Sequence, residues 1–328
     1  MELPRFLLVG CGPFALFLAK ELLRQSYHVD LLLTAPQFAE HEAQKAAQEV
    51  PQARLFHCAR TAAAAEPDVV LLCTSIAATE AVLRSFASDG TLQTLVANRL
   101  VADVLSVKEL PRHLLDQLLP VEWNCEIVCT HPMFGRISAQ RDDGSKGWTC
   151  GLPLMYEIVR QRIAPPESLP SGTASVVHAF LAFWQAAGCE LICMSAEQHD
   201  REAAETQFIT HVVGRTLALG LDLPASRIAT SSYVSLRELV RLHFVNTNAD
   251  SDALFTGLYR YNRFAAAQLA RLHKSFEATS IMLEGHAKIL CGSVSLSLGN
   301  KCTRVLLTGM AIGAAITITF LFARARRK

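Results

Sequence analysis

Residues 5–34 read RFLLVGCGPFALFLAKELLRQSYHVDLLLT. An apolar run stops at a pair of glycines, a stretch with helical periodicity follows, and a second apolar run closes the segment. This predicts strand, tight turn, helix and strand in that order. The turn carries Gly10, Gly12 and Ala15, which fit the GxGxxG/A pattern. In that pattern the first glycine permits the sharp turn and the second lets the backbone approach a pyrophosphate. The small third residue lets the helix pack on the strand. A phosphate then meets the free N–H groups at the start of the helix. The expected fold is α/β, with an N-terminal Rossmann doubly wound sheet over residues 1–160.

The end of the second strand discriminates between nicotinamide cofactors, because an acid there bonds the ribose hydroxyls of NAD and repels the 2′-phosphate of NADP. Here the chain reads Leu33, Thr34, Ala35, Pro36. The missing acid favours NADP, with NAD still possible, and Thr34 can donate to a phosphate. A further strand, DVVLLC at 68–73, ends in Thr74 and Ser75. Ligands of such sheets bind at the carboxyl edge, so these hydroxyls are expected to face the cofactor.

Composition narrows the class further. The chain has 328 residues, room for two modest domains, and is 51% hydrophobic with 19% charged residues. Its formal charge of +1 from 31 basic and 30 acidic side chains, without long basic runs in its body, argues against nucleic acid as a partner. The 10 cysteines are scattered, several within apolar runs, and read as buried thiols in a reducing compartment, cytosol or plastid. No pair has the CxxC spacing of a zinc site or redox motif, Cys125 and Cys129 lie four apart in a strand-like run where packing is the expected role, and no metal is expected. The N-terminus enters an apolar strand within a few residues, which leaves no room there for a transit or signal peptide. Residues 305–323, VLLTGMAIGAAITITFLFA, form an uncharged stretch bounded by Arg304 and by Arg324, Arg326, Arg327 and Lys328. At about 1.5 Å per residue that helix covers a hydrocarbon core of roughly 30 Å, and apolar residues occupy every face. The expectation is a C-terminal transmembrane tail anchor.

Two polar clusters follow strand-like runs: VADVLSVKE, with Asp103, Ser106 and Lys108, and EIVCTHPMFG, with His131. Farther on, residues 196–220 have helical periodicity and carry His199, Asp200 and His211, the two histidines pointing in broadly similar directions. The strings DVLSVKE and CTHPMFG, the KGW at 146–148 and the segment EQHDREAAETQFITHVVGR together resemble the prephenate/arogenate dehydrogenases, especially the plant-type arogenate enzymes. The similarity runs from about residue 5 to residue 280, with the motifs in family order.

That resemblance implies oxidative decarboxylation of a cyclohexadienyl acid, arogenate or prephenate, in tyrosine biosynthesis. It implies His131 as the catalytic histidine and Ser106 as the serine that fixes it and contacts the same substrate hydroxyl. It implies His211 as a substrate contact and Asp200 as an acid that supports the site. An imidazole suits the role, because its pKa lies near working pH. The chain departs from the pattern at Ile137, where many relatives carry glutamate. It departs again at YVSLRELVR, where Arg237 and Arg241 flank Glu238 at the place of the arginine expected to bind the ring carboxylate. Either guanidinium can hold a carboxylate bidentately. A helical substrate and dimerisation domain over 165–298 is expected to form a homodimer, as in the family. Two other readings stay open: a noncatalytic, membrane-tethered NADP-binding protein of this fold, and another Rossmann dehydrogenase.

Overall fold

The computed structural model describes residues 3–34, 39–135, 148, 151–162, 176–242 and 249–295. Eight strands form one sheet: β1 (Phe6–Val9), β2 (Val29–Leu32), β3 (Arg54–Phe56), β4 (Val69–Leu72), β5 (Leu100–Asp103), β6 (Glu126–Pro132), β7 (Leu152–Arg160) and β8 (Cys189–Cys193). Their order is β3-β2-β1-β4-β5-β6-β7-β8. The first six are parallel and β7 pairs antiparallel with β6. Continuous apolar strands such as FLLV and VVLL are buried along their whole length, as expected where helices cover both faces of a parallel sheet. The strand order reverses between β1 and β4, the crevice where doubly wound sheets bind dinucleotides.

Helices α1 (Pro13–Arg24), α2 (Ala39–Glu49), α3 (Ala59–Ala63), α4 (Ile76–Ser88), α5 (Thr91–Val96), α6 (Glu109–Leu118) and α7 (Val176–Ala186) connect the strands. Residues of β1, of α7 and the loop residue Tyr27 build an aromatic core. Phe6 meets Tyr27 edge-on at 5.3 Å, and Phe183 lies 5.9 Å from Phe6 and 5.1 Å from Trp184. Trp148 stacks on Phe17 of α1 at 5.1 Å. Because β7 and β8 belong to the same sheet, strand structure continues to Cys193, past residue 160. Both strands are partly exposed and mix polar with apolar residues, which weakens the periodic signal that announces the buried strands.

From Ala196 onward every regular element among the described residues is helical: α8 (Ala196–Ala203), a π turn (Ala204–Phe208), α9 (Ile209–Gly220), α10 (Ser231–Val240), α11 (Ala249–Arg260) and α12 (Ala265–Ser295). The chain divides into two compact units, Met1–Gln268 and Leu269–Lys328. Among the described residues no helix is long and apolar enough to cross a membrane. The candidate anchor at 305–323 lies outside the described residues, as does Ile137.

Candidate active site

The glycine turn has the backbone its sequence requires. Gly10 adopts φ 107°, and a Cβ there would lie 3.0 Å from the Cys73 carbonyl oxygen. Only glycine combines that conformation with so close an approach to the end of β4. Gly12 is the N-cap of α1, with no side-chain cap and open space where a Cβ would point, and Pro13 follows at the first helical position. Ala15 is fully buried. Gly12 therefore presents bare backbone at a helix N-terminus, which suits a pyrophosphate. Thr34 follows β2. Thr74 and Ser75 follow β4, with the Thr74 hydroxyl 2.7 Å from that of Thr79 and Ser75 at the N-cap of α4.

The second cluster is built on the ends of β5 and β6. Asp103 ends β5, and its Oδ1 accepts from the Leu105 amide at 2.9 Å. That turns the chain back so that Lys108 reaches the same carboxylate and the Thr130 carbonyl. Asp103 and Lys108 are both fully buried. Burial pushes the Asp103 carboxyl up, and the Lys108 ammonium opposes that rise.

His131 follows Thr130 near the end of β6 and is 2% exposed. Its Nδ1 lies 2.8 Å from His199 Nε2, and His199 Nδ1 lies 2.8 Å from Asp200 Oδ1. Asp200 accepts from the backbone amides of Lys108 at 2.7 Å and Glu109 at 2.9 Å. It thereby caps α6 from a helix more than ninety positions away along the chain and takes up amides that the first turn leaves unpaired. Asn262 Nδ2 donates to the Asp200 carbonyl at 2.6 Å. Burial, then the neighbouring His199 ring and the Lys108 ammonium, hold the His131 pKa well below the usual imidazole range. The ring is thus neutral near pH 7, the form that accepts a proton.

Of the residues expected from the sequence, His131 and Asp200 are brought together, and His199 lies between them. Ser106 lies in the turn between Asp103 and Lys108 and makes no hydrogen bond among the described residues. His211 stacks against Phe255 at 6.3 Å, in α9 beyond the π turn. Arg237 donates to the Leu223 carbonyl at 3.0 Å, and Arg241 pairs with Glu238 on the exposed face of α10. Neither guanidinium joins the His131 cluster. The residues unforeseen in their roles are His199, Lys108 and Asn262. Only the adjacent His–Asp pair in EQHD carried a signal, since an imidazole beside a carboxylate on one helix is a ready relay.

A glycine turn at the switch point of the sheet, with a buried neutral histidine near the end of β6, two strands beyond β4, fits an NAD(P)-dependent oxidoreductase. Comparison with known proteins agrees. Residues 18–146 match the prephenate dehydrogenase nucleotide-binding domain, and residues 218–291 match the TYRAAT1-like C-terminal domain. Arogenate dehydrogenase 2, chloroplastic, of Arabidopsis thaliana is 39% identical over 277 residues, 84% of this chain and 69% of that protein. Arogenate dehydrogenase 1, chloroplastic, of the same plant is 36% identical over 279 residues, 85% of this chain and 39% of that one. In fold, the chain resembles the Aquifex aeolicus prephenate dehydrogenase solved with hydroxyphenyl propionate and NAD+. The TM-score is 0.60 at 14% identity, over 95% of this chain and 99% of that one. The Synechocystis arogenate dehydrogenase gives a TM-score of 0.51 at 18% identity, over 95% and 99%. The chain belongs to the prephenate/arogenate dehydrogenase family.

Proposed function

We propose that the chain oxidatively decarboxylates arogenate, or its keto counterpart prephenate, with NADP as hydride acceptor, in the formation of tyrosine. The observation that carries this reading is the buried neutral His131 near the carboxyl end of β6, on the same edge of the parallel sheet as the glycine turn, with one ring nitrogen engaged by His199 and the other left for substrate. Gly10, Gly12 and Ala15 form the turn that receives the pyrophosphate, and Thr34, Thr74 and Ser75 line the ends of β2 and β4 beside it. The absence of an acid at Leu33 and Thr34 supports NADP over NAD. When bound, the oxidised nicotinamide supplies the hydride acceptor.

His131 Nε2 accepts the proton of the ring hydroxyl as that carbon loses its hydride and becomes a carbonyl. Loss of carbon dioxide then makes the ring aromatic and returns the electron pair to the same oxygen. That oxygen recovers the proton from His131 as a phenol, so the histidine ends the cycle neutral. Ser106 contacts the same hydroxyl, His211 supports the substrate, Asp200 supports the site from behind His199, and Arg237 or Arg241 takes the ring carboxylate. The sequence departure at Glu238 leaves the choice between the two arginines to mutagenesis.

Residues 165–298 supply the helical substrate and dimerisation part in this reading. Exposed apolar side chains support a homodimer: Leu219 is 80% exposed, Ile228 91% and, on α12, Ile281 70%. The uncharged stretch at 305–323 tethers the enzyme to a membrane, with its catalytic part in the cytosol or plastid. The test is full-length protein given each acid with each nucleotide, reading reduced nicotinamide and carbon dioxide together. Turnover that His131→Gln abolishes supports the dehydrogenase. Nucleotide binding without turnover on either acid supports the noncatalytic reading.

A further inference from the structure

The relay behind His131 has only one arrangement of hydrogens that satisfies it with both rings neutral. The Asp200 carboxylate takes three N–H donors: the amides of Lys108 and Glu109 and the Nδ1 of His199. A carboxylate only accepts, so the hydrogen between it and His199 sits on His199 Nδ1. A neutral imidazole carries one hydrogen, which leaves His199 Nε2 as a bare acceptor. His199 Nε2 faces His131 Nδ1 at 2.8 Å, so His131 Nδ1 must donate. His131 Nε2 is then the nitrogen with the lone pair. His199 and Asp200 are 3% and 0% exposed, so no competing water is needed to complete the chain of donors and acceptors.

We infer that His199, held by Asp200, is the positioning residue that selects the Nδ1–H tautomer of His131 and so leaves Nε2 to accept the substrate proton. This assignment rests on the dehydrogenase reading for its purpose, but the tautomer itself does not. It moves to His199 the task that the family resemblance gave to Ser106. Two geometric facts favour the transfer. Ser106 makes no hydrogen bond among the described residues, and the only ring nitrogen within hydrogen-bonding distance of His131 there belongs to His199. The arrangement persists through the proposed cycle, because the proton taken by Nε2 is returned to the same oxygen and the Nδ1 hydrogen never leaves His131. While His131 is an imidazolium, the bare His199 Nε2 and the anionic Asp200 behind it stabilise its charge.

The experiment uses full-length protein labelled with 15N-histidine, with the His131 resonances assigned by their loss in His131→Gln. The expected spectrum has a protonated Nδ1 and an unprotonated Nε2 on His131. A hydrogen on Nε2 instead would overturn the assignment. In kinetics with whichever acid the protein turns over, His199→Leu removes the acceptor and should lower kcat by about a hundredfold or more, with a much smaller change in KM. In His199→Gln the side-chain oxygen reaches close to the Nε2 position and still accepts from His131 Nδ1, so kcat should recover to within about tenfold of the native value. Equal losses in the two variants would also sink the assignment. Should His199→Leu fail to fold, the native spectrum and the Gln variant decide alone. Absence of turnover by the native protein would refute the dehydrogenase reading, and the tautomer measured by NMR would stand apart from it.

Discussion

Replacing Lys108 with methionine keeps most of the stem's volume and removes the ammonium from a fully buried pair with Asp103. Asp103 then keeps the amide of Leu105 and loses its only counter-charge among the described residues, where its Oδ2 already has no hydrogen-bond partner. Breaking a buried pair from one side costs about 3–5 kcal/mol. At about 2 °C per kcal/mol for a unit of this size, the melting midpoint should fall by about 6–10 °C. The dependence on pH separates charge from packing. In the variant, burial raises the Asp103 carboxyl with no ammonium to oppose it, while in the unfolded chain it titrates near about 3.9. A carboxyl raised on folding favours the folded state fully below the unfolded value, and that advantage is lost as pH rises through the folded one. The stability gap between native protein and variant should therefore be small near about pH 4 and widen toward neutrality. Urea unfolding of both proteins across that range measures it, and comparing the two cancels titrations they share. Adding Asp103→Asn to the variant should restore part of the loss at neutral pH. A gap of equal size at every pH would refute the unpaired charge and leave only lost packing.

Gly10→Ala should lower stability by about 1–3 kcal/mol, because the new Cβ meets the Cys73 carbonyl in a left-handed backbone; calorimetry reads this directly. Gly12→Ala meets open space at an ordinary φ, so its melting midpoint should stay within about 2 °C of native while titration calorimetry shows weaker nucleotide binding. A large stability loss here would mean that the turn is structural only. His131 is held neutral by burial, His199 and Lys108, so its folded pKa lies below the unfolded value of about 6.5. Its contribution to stability is present above that value and lost as pH falls, by about 1.4 kcal/mol per pH unit until the folded pKa is reached. Between about pH 6.5 and 5, His131→Gln should accordingly lose less stability than the native chain in denaturant titrations.

The nucleotide half was legible because its signals are local. The turn at Gly10, Gly12 and Ala15 states its geometry within six residues, and the strands around it are apolar throughout. His131 was legible as a residue but not as an environment. Its partner His199 is 68 positions away along the chain and looked like one more polar residue on an amphipathic helix. Lys108 read as an ordinary charged residue before a helix, since nothing in its neighbours announces full burial. The π turn at Ala204–Phe208 also has no signature in AETQF. It matters because residues twelve apart on an uninterrupted α-helix stand about 120° from each other, so the broadly similar direction expected of His199 and His211 does not hold on a regular helix. The wider turn lessens that offset between His199 and His211. Strands β7 and β8 escaped because their exposed edges dilute the periodicity.

The cap that Asp200 places on α6 also bears on how the molecule assembles. The first turn of α6 lies early in the chain, yet two of its amides are satisfied only after α8 has formed and docked. Such a long closure is paid for before its contacts form, which places it late in folding. A fragment ending near residue 160 would hold every glycine of the nucleotide turn and still leave those two amides to solvent. Native-state hydrogen exchange at Lys108 and Glu109 would thus report the docking of α8 from within the nucleotide-binding half.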